Sequence, residues 1–120
     1  MESAFFKGVM LCAYEENPGL TMLSGSMTRL SICPGRSVFA RPDAPLWVEL
    51  GTGKGNFISQ MAVLHPEVNF IGIEIQTGVL YYAGKKCAEA EVSNVHLLKF
   101  DVAKIEDIFA PGEVDRFFIN

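Results

Sequence analysis

Residues 47–57 read Trp47-Val-Glu-Leu-Gly-Thr-Gly-Lys-Gly-Asn-Phe57. An apolar run over residues 46–50 breaks into three glycines at alternate positions, and an amphipathic segment follows directly. This order predicts a strand, a glycine turn and a helix, which together open an α/β nucleotide-binding unit. The glycines allow a tight turn with positive φ and the close approach of a ligand. The helix behind them offers unpaired N–H groups to an anion.

Three kinds of nucleotide-binding loop compete for this pattern. A Walker phosphate loop needs Ser or Thr after its lysine, but Lys54 is followed by Gly55. The dinucleotide fingerprint is Gly-x-Gly-x-x-Gly, and Asn56 stands where its third glycine belongs. The shorter Gly-x-Gly-x-Gly spacing, preceded by Glu49, looks like the first motif of Rossmann-like S-adenosylmethionine methyltransferases. Taken alone, the glycines are equally compatible with a plain tight turn.

Two further apolar runs also end at an acidic residue. The run over residues 69–75 reads as a second strand with Glu74 near its end, about twenty residues after the glycines, where such folds place the acid that binds ribose hydroxyls. The run over residues 95–100 reads as a third strand and is followed by Asp101. In open α/β sheets the carboxyl ends of parallel strands line the ligand crevice. One such acid is often an ordinary loop residue, but three at successive strand ends favour a shared binding site.

With these residues in view, the segment 46–120 closely resembles the bacterial tRNA (guanine-N7)-methyltransferase family. The resemblance covers about five-eighths of the chain. Its most specific parts are Phe-Ile-Gly-Ile-Glu in the second strand and Pro-Gly-Glu-Val-Asp-Arg before the fourth. Four strings carry it: Val48-Glu-Leu-Gly-Thr-Gly-Lys-Gly-Asn-Phe57, Asn69-Phe-Ile-Gly-Ile-Glu-Ile75, the segment 94–101, and Phe109-Ala-Pro-Gly-Glu-Val-Asp-Arg-Phe-Phe-Ile-Asn120.

This resemblance implies an S-adenosylmethionine (SAM) methyltransferase in which guanine N7 of a tRNA attacks the methyl carbon. By analogy, Glu49 lies near the methionine end of SAM, Glu74 near the ribose and Asp101 near the adenine. Carboxylates suit these positions because they accept hydrogen bonds from ribose hydroxyls and attract the positive charges of SAM. No metal ion is expected. The predicted cofactor-binding residues are Glu49, Gly51, Gly53, Gly55, Glu74, Ile75, Asp101, Val102 and Asn120.

The predicted fold is α/β and Rossmann-like, with a partial parallel sheet flanked by helices. Right-handed helical crossovers give its four strands the order 3-2-1-4, with the site above strands 1 and 4. On the second predicted helix, residues 78–91, Tyr81 and Tyr82 are expected to cover the edge of the sheet or of the helix; a base-stacking platform is the alternative.

The fourth predicted strand, residues 114–119, becomes an edge strand with apolar side chains. Unpaired N–H and C=O groups on such an edge invite pairing with another strand. We therefore expect the isolated chain to be marginally stable, or to cover this edge with its N-terminal segment or by self-association with another copy.

The chain departs from the family at its end. In relatives the fourth strand runs into Phe-Ser/Pro-Asp-Pro-Trp-Pro, whose Asp is the expected catalytic residue, and a basic segment that helps to hold tRNA follows. This chain ends at Asn120, immediately before that motif. We therefore expect a truncated SAM-binding half with no catalytic residue of its own. The alternatives are a non-catalytic SAM-binding or interaction module and, less favoured, a fragment of an NAD-dependent oxidoreductase.

Composition sets the remaining expectations. At 120 residues the chain can bury one modest core, and its mean hydropathy of +0.23 indicates a folded domain. The net charge of −4 is the wrong sign for a free-standing tRNA binder, so tRNA is expected to bind through the missing half.

No apolar run reaches the ~18 residues of a membrane span. Three cysteines without metal-ligand spacing favour neither disulfides nor zinc and indicate a reducing cytoplasm.

Two segments are expected along the chain. Residues 1–45 match no motif, and Pro and Gly divide them into short pieces, so they are expected to be a poorly defined N-terminal extension that packs partly on the domain. Residues 46–120 are expected to form the N-terminal half of a SAM-binding methyltransferase domain.

Overall fold

One six-stranded β-sheet and two α-helices make up the part of the chain that the computed structural model describes, residues 4–6, 9–13 and 39–119. A 3-10 helix follows the fifth strand. The elements in chain order are β1 (Ala4–Phe6), β2 (Val9–Ala13), β3 (Leu46–Leu50), α1 (Asn56–Leu64), β4 (Asn69–Glu74), α2 (Thr77–Glu89), β5 (Val95–Lys99), the 3-10 helix (Val102–Asp107) and β6 (Arg116–Ile119).

The strands lie in the order β1-β2-β5-β4-β3-β6. The four strands from β5 to β6 are all parallel and confirm the predicted order 3-2-1-4. In their register Val48 of β3 lies between Ile71 of β4 and Phe117 of β6. At the other side of β5 the sheet continues with β2, which is parallel to it, and β1, which is antiparallel to β2.

The strands β1 and β2 were not predicted, because they come from the segment expected to be a poorly defined extension. Of the two, β2 pairs with β5, four of whose five residues are buried, and so protects an apolar strand that would otherwise be an edge. The expectation that the N-terminal segment covers the fourth strand is therefore wrong for the described strands, which lie at the opposite side of the sheet from β6. The domain boundary at residue 45 stays a prediction.

The two α-helices cover one face of the sheet. The apolar stripe of α1 buries Ile58 and Ala62, and α2 contributes Leu80 and Cys87 among others. Burial, with a smaller contribution from the negative charge of Glu49, raises the pKa of the Cys87 thiol to about 12, so this cysteine packs as a small apolar group. The buried members of this core are Ile58, Ala62, Val68, Phe70, Leu80, Ala83, Cys87, Val92, Val95 and Leu97.

The opposite face of the sheet has no α-helix among the described residues. Phe39 and the segment that contains the 3-10 helix cover it instead, and a groove of about 490 Å³ lies beside β6, next to Phe117. The buried members of this second core are Phe39, Leu46, Val48, Ile71, Ile73, Leu98, Phe100, Ile108 and Phe109.

Two predicted boundaries differ from the structure for local reasons. The helix α2 ends at Glu89, two residues early, because Glu91 adopts the left-handed conformation with φ of 59°. The last strand begins at Arg116 because the preceding Asp115 closes the turn: its N–H donates to the Leu46 carbonyl, and its Oδ2 accepts from the Leu46 N–H, both at 2.8 Å. Within the described residues, neither α-helix has the length and apolar character of a membrane span.

Gly72, in the middle of β4, has no room for a side chain. A Cβ there would lie 2.8 Å from the Thr52 hydroxyl oxygen and 2.9 Å from the Ile58 Cδ1 atom. We expect Gly72→Ala to lower the free energy of unfolding by about 1–3 kcal/mol, because overpacking moves the loop or the helix above the sheet. Denaturation in urea measures the effect.

The matched control is Gly78→Ala. Gly78 lies in α2 and a Cβ there meets no atom within 4 Å. Alanine should leave stability unchanged or raise it by up to about 1 kcal/mol, since it favours the helix. Equal losses in the two variants would contradict the packing described for Gly72.

His96 makes stability depend on pH. Burial lowers its pKa from 6.5 to about 4, and its ring lies edge-on to Phe39, with centroids 6.2 Å apart. Below pH 6.5 the unfolded chain binds a proton that the folded chain does not, so stability is lost as pH falls. We expect this group to lower the free energy of unfolding by about 2 kcal/mol between pH 7 and pH 5. Urea titrations at both pH values should show that loss, and His96→Leu should lack it; an equal loss in the variant would assign it to other groups.

Candidate functional site

The glycine loop between β3 and α1 turns on left-handed backbone conformations. Gly51, Gly53 and Gly55 have φ of 75°, 59° and 88°, which confirms the positive φ predicted from the sequence. At Gly55 a Cβ would also lie 2.8 Å from the Cα of Ala83, so the loop approaches α2 closely only because this residue is glycine. Gly53 differs, because no described atom lies within 4 Å of the position of its Cβ.

Backbone hydrogen bonds anchor the loop to the end of β4. The N–H groups of Gly51 and Thr52 both donate to the Ile73 carbonyl at 2.9 Å. The Gly55 N–H donates to the Thr52 carbonyl at 3.1 Å and closes the turn. The loop therefore lies over the carboxyl ends of β3 and β4, which is where open α/β sheets form their ligand crevice.

Glu49 lies beneath the loop and not on the open surface. It is 1% exposed, and its Oε1 accepts a hydrogen bond of 2.5 Å from the Thr52 hydroxyl. A buried carboxylate is costly unless it is hydrogen-bonded, so this contact fastens the loop to the end of β3. Contact of Glu49 with the methionine end of a cofactor stays a prediction, and the structure shows it as a support for the loop.

Glu74 joins the loop to the start of α2. Its Oε1 accepts a hydrogen bond of 3.0 Å from the Gly53 N–H, and its Oε2 accepts from the Ile75 and Gln76 N–H groups at 3.2 Å. Because α2 begins at Thr77, the carboxylate lies at a helix N-terminus, where the macrodipole favours negative charge. The side chain is partly exposed, so its remaining lone pairs can accept further hydrogen bonds from a ligand.

Asp101 lies at the end of the neighbouring strand. Its side chain is exposed, and its Oδ1 accepts a hydrogen bond of 3.0 Å from the Ala103 N–H at the start of the 3-10 helix. The Phe100 N–H donates to the Glu74 carbonyl at 3.2 Å, so the ends of β4 and β5 are adjacent. Glu74 and Asp101 therefore lie along one edge of the sheet.

The structure thus brings most of the predicted site residues to one edge. This edge carries the three glycines, Glu74 and Asp101, and Glu49 lies beneath the glycine loop. Ile75 and Val102 directly follow Glu74 and Asp101 and are 53% and 42% exposed, so they add apolar surface beside the carboxylates. Hydrogen-bond acceptors next to apolar surface suit a ligand that has hydroxyl or amino groups on a flat ring system.

Two contributors to this site were missed from the sequence. Thr52 supplies the hydroxyl that bonds Glu49, and Gly72 leaves the space into which that hydroxyl fits. A signal for Gly72 was present, because an isolated glycine inside an apolar strand indicates a close approach. Asn120, the last predicted site residue, lies outside the described residues.

A parallel sheet in the order β5-β4-β3-β6, with a glycine loop after β3 and acids at the ends of β4 and β5, has the architecture of a Rossmann-like methyltransferase. The family model described as "Putative methyltransferase" matches residues 43–120. The chain belongs to this methyltransferase family.

Curated relatives carry a more specific name. The tRNA (guanine-N(7)-)-methyltransferase of Halalkalibacterium halodurans is 53% identical over 77 residues, which is 64% of this chain and 35% of that protein. The enzymes of the same name from Geobacillus thermodenitrificans and Streptococcus pneumoniae are 49% and 50% identical over 78 residues. The chain spans 35% to 37% of the length of these relatives.

One solved structure supports the fold. An RNA methyltransferase from Salinibacter ruber, in complex with S-adenosyl-L-homocysteine, superposes with a TM-score of 0.54 over 62% of this chain and 46% of that chain. The sequence identity is 24%, so the likeness concerns the fold alone.

Alanine substitutions at Gly53 and Gly55 test the close approach of the loop to α2, because only Gly55 has atoms of α2 next to its Cβ position. Gly53→Ala should lower the free energy of unfolding by about 1–2 kcal/mol, because only the left-handed backbone opposes the new methyl group. Gly55→Ala should lower it further, because the methyl group also meets the Ala83 backbone at 2.8 Å. Chemical denaturation of both variants measures the difference, and equal losses would show that α1 and α2 are not in close contact at Gly55.

Proposed function

We propose that this chain is the SAM-binding part of an enzyme that methylates N7 of a guanine in tRNA. The observation that carries the proposal is the 53% identity to a relative named tRNA (guanine-N(7)-)-methyltransferase. The family match over residues 43–120 supports it, because that segment contains the glycine loop, Glu74 and Asp101.

The edge of the sheet fits this cofactor. Glu74 has lone pairs left for ribose hydroxyls after its three backbone contacts, and the exposed Asp101 can accept from the amino group of an adenine. Ile75 and Val102 offer apolar surface to the faces of a base. Open space at Gly53 lets a ligand reach the backbone without meeting a side chain.

The reaction needs positioning more than activation from this part of the enzyme. SAM supplies an electrophilic methyl group on a sulfonium, and guanine N7 already carries the lone pair that takes it. The glycine loop and Glu74 would hold the donor in one orientation. The buried charge of Glu49, below the loop, would favour the cationic form of the ligand over a neutral one.

The proposal also covers partners and compartment. Transfer to tRNA places the enzyme with its substrate in the cytoplasm, and the part of the relatives that this chain does not span would supply most of the tRNA contacts. Self-association through β6 stays a prediction; the support for it is that β6 lies at the end of the described sheet, with Ile119 79% exposed.

Calorimetric titration of the chain with SAM tests the cofactor. SAM should bind and NAD should not compete. We expect Glu74→Ala to weaken SAM binding by about 1–3 kcal/mol, the value of a hydrogen bond to a charged group. Glu89→Ala is the matched control, since this exposed acid lies at the far end of α2 and should leave the affinity unchanged. Equal affinity of the two variants would remove Glu74 from the site.

Methyl transfer separates an enzyme from a binding module. The chain is joined to the part of the Halalkalibacterium halodurans relative that it does not span, and is incubated with a tRNA transcript and SAM that carries a labelled methyl group. Label should appear as 7-methylguanosine, and a transcript with 7-deazaguanosine should stay unlabelled because it lacks N7. SAM binding without any transfer would favour the non-catalytic module instead.

A further inference from the structure

A cationic and aromatic surface lies beside the glycine loop. Lys54 lies in the loop between two of its glycines, and its Nζ lies 5.7 Å from the centroid of the Tyr82 ring on α2. Tyr82 is 58% exposed, and its predicted role in covering an edge stays a prediction. Its ring supports the lysine from one side, and a large part of the side chain faces solvent.

Two more lysines extend this surface along α2. Lys85 and Lys86 follow Tyr82 by three and four residues, which places them next to it on the helix surface. Lys86 Nζ donates to the Asn56 Oδ1 atom at the start of α1, so this lysine is held close to the loop. We call Lys54, Tyr82, Lys85 and Lys86 the lysine–tyrosine patch.

The charge of the patch is not neutralised within the described residues. None of the salt bridges formed there involves Lys54, Lys85 or Lys86. The nearest acid along the helix is Glu89, one turn after Lys85, and no ion pair joins them. Although the net charge of the chain is −4, three lysines that form no ion pair with any described residue therefore lie on one surface. Their mutual repulsion is unfavourable unless an anion binds there.

We propose that the lysine–tyrosine patch binds RNA, with the lysines contacting backbone phosphates and the Tyr82 ring contacting an unstacked base or ribose. This inference rests on the proposed function and deepens it, because it assigns part of the RNA contact to this chain. The loop that carries Lys54 also carries Gly53, whose N–H bonds Glu74, so the RNA and cofactor surfaces share one loop.

The chemistry of the patch favours RNA over a protein partner. Phosphates occur at every nucleotide and match several lysines with one chain, and each contact releases condensed counterions. An exposed ring beside lysines suits nucleotides in loops and single strands, whose bases are free to stack. A protein surface would need carboxylates at matching positions and a larger apolar area than one tyrosine supplies.

The test measures binding of a fluorescent tRNA transcript to the full chain by anisotropy at several salt concentrations. Lys54→Ala combined with Lys85→Ala should weaken binding about tenfold and make the plot of log K against log salt shallower by about 1 to 2. Arg41→Ala is the control. It also removes positive charge, but Arg41 contacts Pro66 at the opposite end of the sheet, and its effect should be small.

Two substitutions of Tyr82 test the role of its ring. Tyr82→Ala should weaken binding about tenfold, whereas Tyr82→Phe keeps the ring and should bind as the unchanged chain does. Equal effects of the alanine and phenylalanine variants would overturn the role of the ring. Thermal unfolding of each variant shows whether the fold is kept.

Calorimetry with SAM separates this inference from the proposed function. If the chain binds SAM but does not bind RNA, or binds RNA equally well with Lys54 and Lys85 replaced, the patch assignment is overturned while SAM binding stands. If RNA binding depends on the patch but SAM does not bind, the patch assignment holds and the proposed cofactor is wrong.

Discussion

Two carboxylates hold the glycine loop, and the candidate site depends on them. Glu49 supports the loop from below through the Thr52 hydroxyl, and Glu74 binds the Gly53 N–H while also accepting from the N–H groups just before α2. Positive φ lets the loop turn, but it does not select one conformation of the turn. The carboxylates do so, because each acts as an acceptor for groups that only one conformation brings within reach.

This arrangement couples the site to the core. Gly72 allows the loop to pack on the sheet, because the Thr52 hydroxyl and the Ile58 side chain lie where a Cβ of residue 72 would be. The loop, β4 and α1 therefore pack as one unit beneath the carboxyl edge of the sheet. The charged side chains are also separated in space. Acids lie at that edge, and lysines that form no ion pair within the described part of the chain lie on the adjacent surface of α2, so a net charge of −4 describes neither surface.

The parallel half of the fold could be predicted because its signals are local. Apolar runs bounded by glycine and acidic residues mark β3, β4 and β5, and the handedness of helical crossovers then determines their order. The pairing of β2 with β5 is different. It joins residues such as Leu11 and Leu97 that are far apart in sequence, and short strands in a segment rich in Pro and Gly carry no signal for their partner.

The amino-acid sequence by itself determined that an acid lies at or just after the end of each apolar run and that glycines follow β3, because those are properties of neighbouring residues. Only the tertiary structure decided that Glu49 is buried, that Glu74 is partly exposed, and that Tyr82 faces solvent beneath Lys54. The physical reason is that exposure depends on which element crosses above a side chain. The Thr52 hydroxyl lies against the first acid, whereas the second acid is the last residue of β4.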